Sequence, residues 1–136
     1  MQGFEMINSA EEFVALRSSE NKDEYDRAAF DEASESVWMD IIYRYPDYRK
    51  WVAHNKTVPI SILRELCNFD SEVRYFVSVK RKLSLEIFEI LAQDPDPLVR
   101  QGVASNKKTP ITILQRLAVD SDENVARVAR FNAESR

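Results

Sequence analysis

Apolar positions recur in a fixed order through the second half of the chain. Val52-Ala53 is followed by Ile62-Leu63, Leu66-Cys67 and Val73, and Val77 by Ile87-Phe88, Leu91-Ala92 and Val99. Val103-Ala104 is followed in the same way by Ile113-Leu114, Leu117-Ala118 and Val125. Val52 to Val77 is a step of 25 residues and Val77 to Val103 a step of 26. Repetition at this period predicts stacked units that mainly contact their neighbours. Within each unit, apolar residues at i, i+1, i+4 and i+5 form one stripe of a short helix. A second short helix is predicted over 73–77, 99–103 and 125–129.

The residues between these stripes punctuate them. Pro59 and Pro110 are expected in the first turn of a helix, where a missing amide costs nothing. Thr57, Ser84 and Thr109 stand close by as capping hydroxyls. Asp70, the Asp94-Pro95-Asp96-Pro97 run and Asp120-Ser121-Asp122 break each first helix and can cap the second. Asn55, Asn106 and Asn132 are expected to end the second helices, because Asn tolerates a left-handed backbone. Ala53, Ala92, Gly102 and Ala104 are small enough for neighbouring units to approach closely. Cys67 shares a slot with Ala92 and Ala118, which reads as packing.

Before the repeats, Ser9-Ala10-Glu11-Glu12 is a capping-box pattern, with Glu12 expected to reach back to Ser9. A helix is predicted over 21–33, with Tyr25, Ala28, Ala29 and Phe30 inward and Asp23, Glu24, Asp26, Asp31 and Glu32 outward. Ser34 or Ser36 can cap the next helix, and 34–55 read as a diverged first repeat. The expected organisation is one domain, with an acidic helical cap over 1–33 and about four helix-pair repeats over 34–136.

Val52-Ala53-His54-Asn55 with Thr57 and Pro59, and Val103-Ala104-Ser105-Asn106 with Thr109-Pro110, resemble variant leucine-rich repeats. The stretch from Leu91 to Arg100 is also similar to HEAT-type repeats. This resemblance implies an all-α, right-handed α/α superhelical solenoid. It also implies a structural Asp–Arg ladder, here Asp94 with Arg100, partly kept by Asn68 with Arg74 and half lost at Asp120 with Ala126. Lys80-Arg81-Lys82-Leu83-Ser84 departs from the pattern by lacking both Asn and Pro. An iron–sulphur cluster carried by some members needs a cysteine group that a single Cys67 does not supply.

Composition is that of an ordinary globular chain, 44% hydrophobic and 31% charged, with a net charge of −4. The charge is unevenly spread. Residues 1–40 hold eleven acidic and three basic side chains, a net −8, which leaves +4 for the remainder. One cysteine excludes an internal disulfide. The first residues lack a signal-peptide pattern, and no run of about 18 apolar residues exists, so the cytoplasm is expected and a membrane is not.

Candidate chemistry is sparse. His54, the one histidine, falls in a slot that also holds Val79 and Ser105, which is not a catalytic pattern. Two glycines are too few for a phosphate-cradling loop, and no metal-ligand spacing exists. The expectation is a non-enzymatic protein-binding solenoid without cofactor or metal. By its size and acidity it resembles, in general character, the bacterial immunity proteins that neutralise toxic nucleases. On that reading Asp23, Asp26, Asp31 and Glu32 face a basic partner. The alternatives are a nucleic-acid or phosphate binder, using a basic loop edge of Lys56, Arg81, Lys82, Lys107 and Lys108, and a structural adaptor subunit. A sequence pI of 5.1 and few interleaved aromatics weigh against nucleic acid.

Overall fold

The computed structural model describes residues 6–136. The first five, including the start of the segment read for a signal peptide, lie outside the described residues. The described residues are predominantly helical, as expected. Ten α-helices and one 3₁₀ turn occur among the described residues, with a single two-residue parallel pairing of β1 (Met6–Ile7) and β2 (Glu32–Ala33). The helices gather into two compact units, Met1–Leu66 and Cys67–Arg136, so the first turns of the repeat pattern fall in the same unit as the cap.

In the first unit, α1 (Ala10–Ser18) starts where the Ser9 hydroxyl accepts the Glu12 amide at 3.0 Å. The Glu12 carboxylate reaches back to the amide of Asn8, at 2.7 Å, rather than to that of Ser9. Helix α2 spans Lys22–Phe30 and is capped by the Asn21 side chain. It ends three residues earlier than the sequence suggests, because Asp31 already has an extended backbone and 32–33 form β2. Phe30 is exposed instead of inward. Helix α3 (Glu35–Arg44) begins at Ser34, whose hydroxyl accepts the Val37 amide. A 3₁₀ turn (Pro46–Tyr48), α4 (Arg49–His54) and α5 (Ile60–Leu66) follow. Trp38 is fully buried, its ring edge-on to Phe13 at 5.5 Å. Ile7, Leu16, Ile41, Ile42, Val52, Ile62 and Leu66 complete this core.

The second unit contains α6 (Ser71–Ser78), α7 (Leu85–Ala92), α8 (Pro97–Ser105), α9 (Ile111–Leu117) and α10 (Glu123–Glu134). Helices α6, α8 and α10 pack in succession as one layer, with α7 and α9 forming the other. The predicted stripes face inward. Ile87, Leu91, Val99, Val103, Ile113, Leu114 and Val125 are fully buried.

Three local readings are corrected by the geometry. Pro110 stands at the N-cap of α9 and Pro59 just before α5, where their carbonyls accept from the Ile113, Leu114, Ile62 and Leu63 amides. Ser84 caps α7, but the hydroxyls of Thr57 and Thr109 donate to the carbonyls of Asp31 and Val103 instead of capping a helix. Asn55 and Asn106 do end α4 and α8 as C-caps, but no non-glycine residue among those described has a positive φ, so they do so without a left-handed backbone. Asn132 lies inside α10.

Candidate interaction surfaces

The asparagines are structural through their side chains. In the second unit, the Asn106 amide nitrogen donates to the carbonyls of Ser78 at 2.9 Å and Lys80 at 2.7 Å. Its oxygen accepts the Lys108 amide at 2.9 Å. Asn132 repeats the device one repeat later, donating to Ala104 at 2.8 Å and Asn106 at 3.0 Å. In the first unit, Asn55 donates to Ala28 at 2.8 Å and Asp31 at 3.0 Å. Each asparagine thus satisfies orphan carbonyls at the end of an earlier helix, which water would otherwise have to reach.

The bridges by Asn106 set the α6–α7 loop beside the α8–α9 loop. Arg81, Lys82, Lys107 and Lys108 are all exposed on these two loops. Arg136 fastens the second loop by donating to the carbonyls of Thr109 and Lys107, each at 2.6 Å. Leu85 and Ile111 open the helices that follow, and they are 61% and 44% exposed. The second unit therefore has an edge on which each pair of bases is followed by a bare aliphatic side chain. Sequence reasoning found the bases and missed the aliphatics. The signal was present, since Leu85 and Ile111 share one repeat slot that lies outside the buried stripe. Lys56, the remaining basic candidate, is exposed in the first unit, and its amide donates to Ala29 at 2.7 Å.

The four acidic candidates do not form one exposed face. Asp23 is exposed in the first turn of α2, and Glu32 is exposed on β2. Asp26 is half-buried and pairs with Lys22 at 2.7 Å. Asp31 is 5% exposed, and its carboxylate takes the Arg27 guanidinium at 2.5 Å while its carbonyl accepts from Asn55 and Thr57. A side chain committed in this way is not available to a partner, so Asp31 leaves the candidate surface. The reason is local. Ending α2 at Phe30 turns residue 31 inward, off the helical face on which the sequence placed it.

Elsewhere in the first unit, Arg44 lies between the exposed Glu11 carboxylate at 2.7 Å and the half-buried Asp40 carboxylate at 2.6 Å. Its hydrogen bonds hold both carboxyls below their ordinary range. His54 is exposed and sits edge-on to Trp51, whose face is covered by the Arg17 guanidinium at 3.6 Å.

No group of three potential metal ligands occurs among the described residues, and no helix there is long and apolar enough to cross a membrane. Comparison with known proteins identifies no relative, since no family model, curated protein or solved structure matches the chain significantly.

Proposed function

We propose that this chain is a non-enzymatic, solenoid-like binding module that takes an acidic, partly apolar segment of another protein on the basic edge of its second unit. The observation that carries this reading is the pairing of exposed bases with exposed aliphatics: Arg81 and Lys82 with Leu85, and Lys107 and Lys108 with Ile111. Bases alone would suit any polyanion. Bare leucine and isoleucine beside them gain free energy only from an apolar counterpart, which a phosphate backbone lacks. Fixed loops also lower the ordering cost of binding, and the Asn106 and Arg136 bridges supply that rigidity.

The test is fluorescence anisotropy with two labelled probes, a blocked peptide alternating glutamate and leucine and a single-stranded oligonucleotide. The peptide is expected to bind, and both Lys82→Glu/Lys108→Glu and Leu85→Ser/Ile111→Ser should weaken it. Oligonucleotide binding that falls steeply with salt and ignores the aliphatic pair would replace this reading with the nucleic-acid one.

A second reading keeps a basic protein, as in immunity-type pairing, on the acidic cap. It is favoured by the exposure of Asp23 and Glu32 beside a strongly acidic N-terminal segment. Asp23→Lys with Glu32→Lys would slow association with such a partner and reduce its salt dependence; an unchanged rate would exclude that surface.

A further inference from the structure

The last helix, α10, carries a bare aromatic ring on its outward side. Val125, Ala126, Ala129 and Asn132 face the core of the second unit. Arg127, Phe131 and Glu134 stand at i, i+4 and i+7 on the opposite side, and all three are exposed. Phe131 leaves 72% of its surface open. The repeat does not demand an aromatic residue there, because the same slot holds Val79 and Ser105 in the two preceding repeats. Val119, 83% exposed on the loop before α10, adds a second apolar side chain. The Arg130 guanidinium ties that loop to the helix by donating to the Ala118 carbonyl at 3.0 Å, which commits its charge to the loop.

The charges on either side of Phe131 select the partner. Among the described residues neither Arg127 nor Glu134 forms an ion pair. Arg127 donates to the neutral Asn124 side chain at 3.0 Å. At a rise of roughly 1.5 Å per residue, the base stands about 6 Å before Phe131 along the helix and the acid about 4.5 Å after it. A two-fold axis through Phe131 therefore sets each Arg127 opposite the Glu134 of a second copy. The stripe is complementary to itself when reversed, as an isologous interface requires. Laid parallel, two such helices would oppose arginine to arginine and glutamate to glutamate.

We infer that the outward face of α10 is a self-association surface, on which two copies of this chain pair antiparallel about Phe131. The two rings cover one another, and two charge-assisted Arg127–Glu134 pairs flank them. A contact built on one helix from each copy is smaller than the roughly 1,600 Å² of a standard interface, so the dimer is weak and reversible. It uses none of the residues of the basic edge, and either surface can fail without the other.

The experiment is sedimentation equilibrium of the full chain from about 1 µM to about 1 mM, the span in which weak association shows. The wild type is expected to pass from monomer to dimer and stop there. Arg127→Glu and Glu134→Arg each set like charges across the axis, and each should weaken dimerisation by about tenfold or more. Mixed in equal amounts, the two variants regain both opposite-charge pairs and should form a heterodimer about as tight as the wild-type dimer. Phe131→Ser should abolish the dimer. All three positions are exposed, so each variant should keep the wild-type circular dichroism spectrum. A wild type monomeric over the whole range, assembly beyond the dimer, a dimer that survives Phe131→Ser, or a mixture that stays monomeric would each overturn the proposal.

Discussion

Arg100 reaches twenty residues ahead to Asp120, its Nε 2.9 Å from Oδ2 and its Nη2 3.0 Å from Oδ1. Its Nη1 donates to the Asp94 carbonyl at 2.7 Å. Arg74 makes the same forward clamp on Asp94, at 2.6 and 3.0 Å, and also donates to the Phe69 carbonyl. Asp94 therefore links the two clamps, taking Arg74 on its carboxylate and Arg100 on its backbone. The carboxylates serve the next loop as well, since Asp94 accepts the Asp96 amide and Asp120 the Asp122 amide. Asp96 and Asp122 then cap α8 and α10. A guanidinium fork suits this geometry better than an ammonium, which cannot hold both carboxylate oxygens in plane.

Arg100→Met should lower stability by about 1.5–3 kcal/mol, the range for a charge-assisted hydrogen bond in a partly shielded site. Arg100→Lys should fall between Met and wild type. A double-mutant cycle with Asp120→Asn, read by urea unfolding, should give a favourable coupling. Strict additivity of the two substitutions would mean that the clamp contributes nothing to stability.

The same clamp sets an acid sensitivity. Burial pushes the Asp120 carboxyl up, but the Arg100 hydrogen bond and the Asp122 amide together outweigh it and hold the group below its ordinary value. A depressed folded pKa contributes stability above the unfolded value, roughly 3.9 for aspartate. That stability is lost as pH falls through the folded value. The stability gap between wild type and Asp120→Asn should therefore be constant above about pH 5 and shrink below about pH 4. A gap that widened on acidification would contradict this assignment. The Arg74 and Arg100 guanidiniums are raised by their carboxylates and stay charged throughout.

Much of the architecture was legible in the sequence because it depends on spacing. The buried stripe of Ile87, Leu91, Ile113 and Leu117 follows from helical periodicity alone, and Asp70, Asp96 and Asp122 cap where turn chemistry places them. The Arg–Asp relation was legible only in part. A spacing of six pointed to Arg100 and Asp94, whereas the carboxylate pairing runs forward to the next repeat. Sequence distance does not encode that stacking. Asp31 was misplaced for a similar reason, since ending α2 at Phe30 instead of at 33 turns its side chain from solvent to core.

Asn106 offers a test of the loop bridges. Asn106→Ala leaves the Ser78 and Lys80 carbonyls without their donor in a buried setting, at a cost of about 1–3 kcal/mol. Asn106→Asp should cost more, because a carboxylate has no donor for two carbonyls and is repelled by them. Amide exchange at Lys80, Arg81 and Lys82 should accelerate in both variants more than exchange in α9. Unchanged protection of that loop would show that the bridge does not order it.

Gly102 sets two opposed effects against each other. Alanine in a helix interior gains about 1 kcal/mol over glycine in propensity. Overpacking a tight contact costs about 1–3 kcal/mol, and here the added Cβ would meet the Ser78 Oγ at 1.9 Å. The hydroxyl must rotate, giving up its 2.6 Å hydrogen bond to the Tyr75 carbonyl. Gly102→Ala should therefore destabilise the chain despite its better propensity, by about 1 kcal/mol in urea unfolding, the clash outweighing the gain. Removing the obstructing oxygen with Ser78→Ala should recover most of that loss, because the closest remaining atom is then a Cβ at 3.0 Å. A Gly102→Ala variant more stable than wild type would mean that α6 and α8 yield at this point. The close approach would then be a preference of the helices and not a constraint on them.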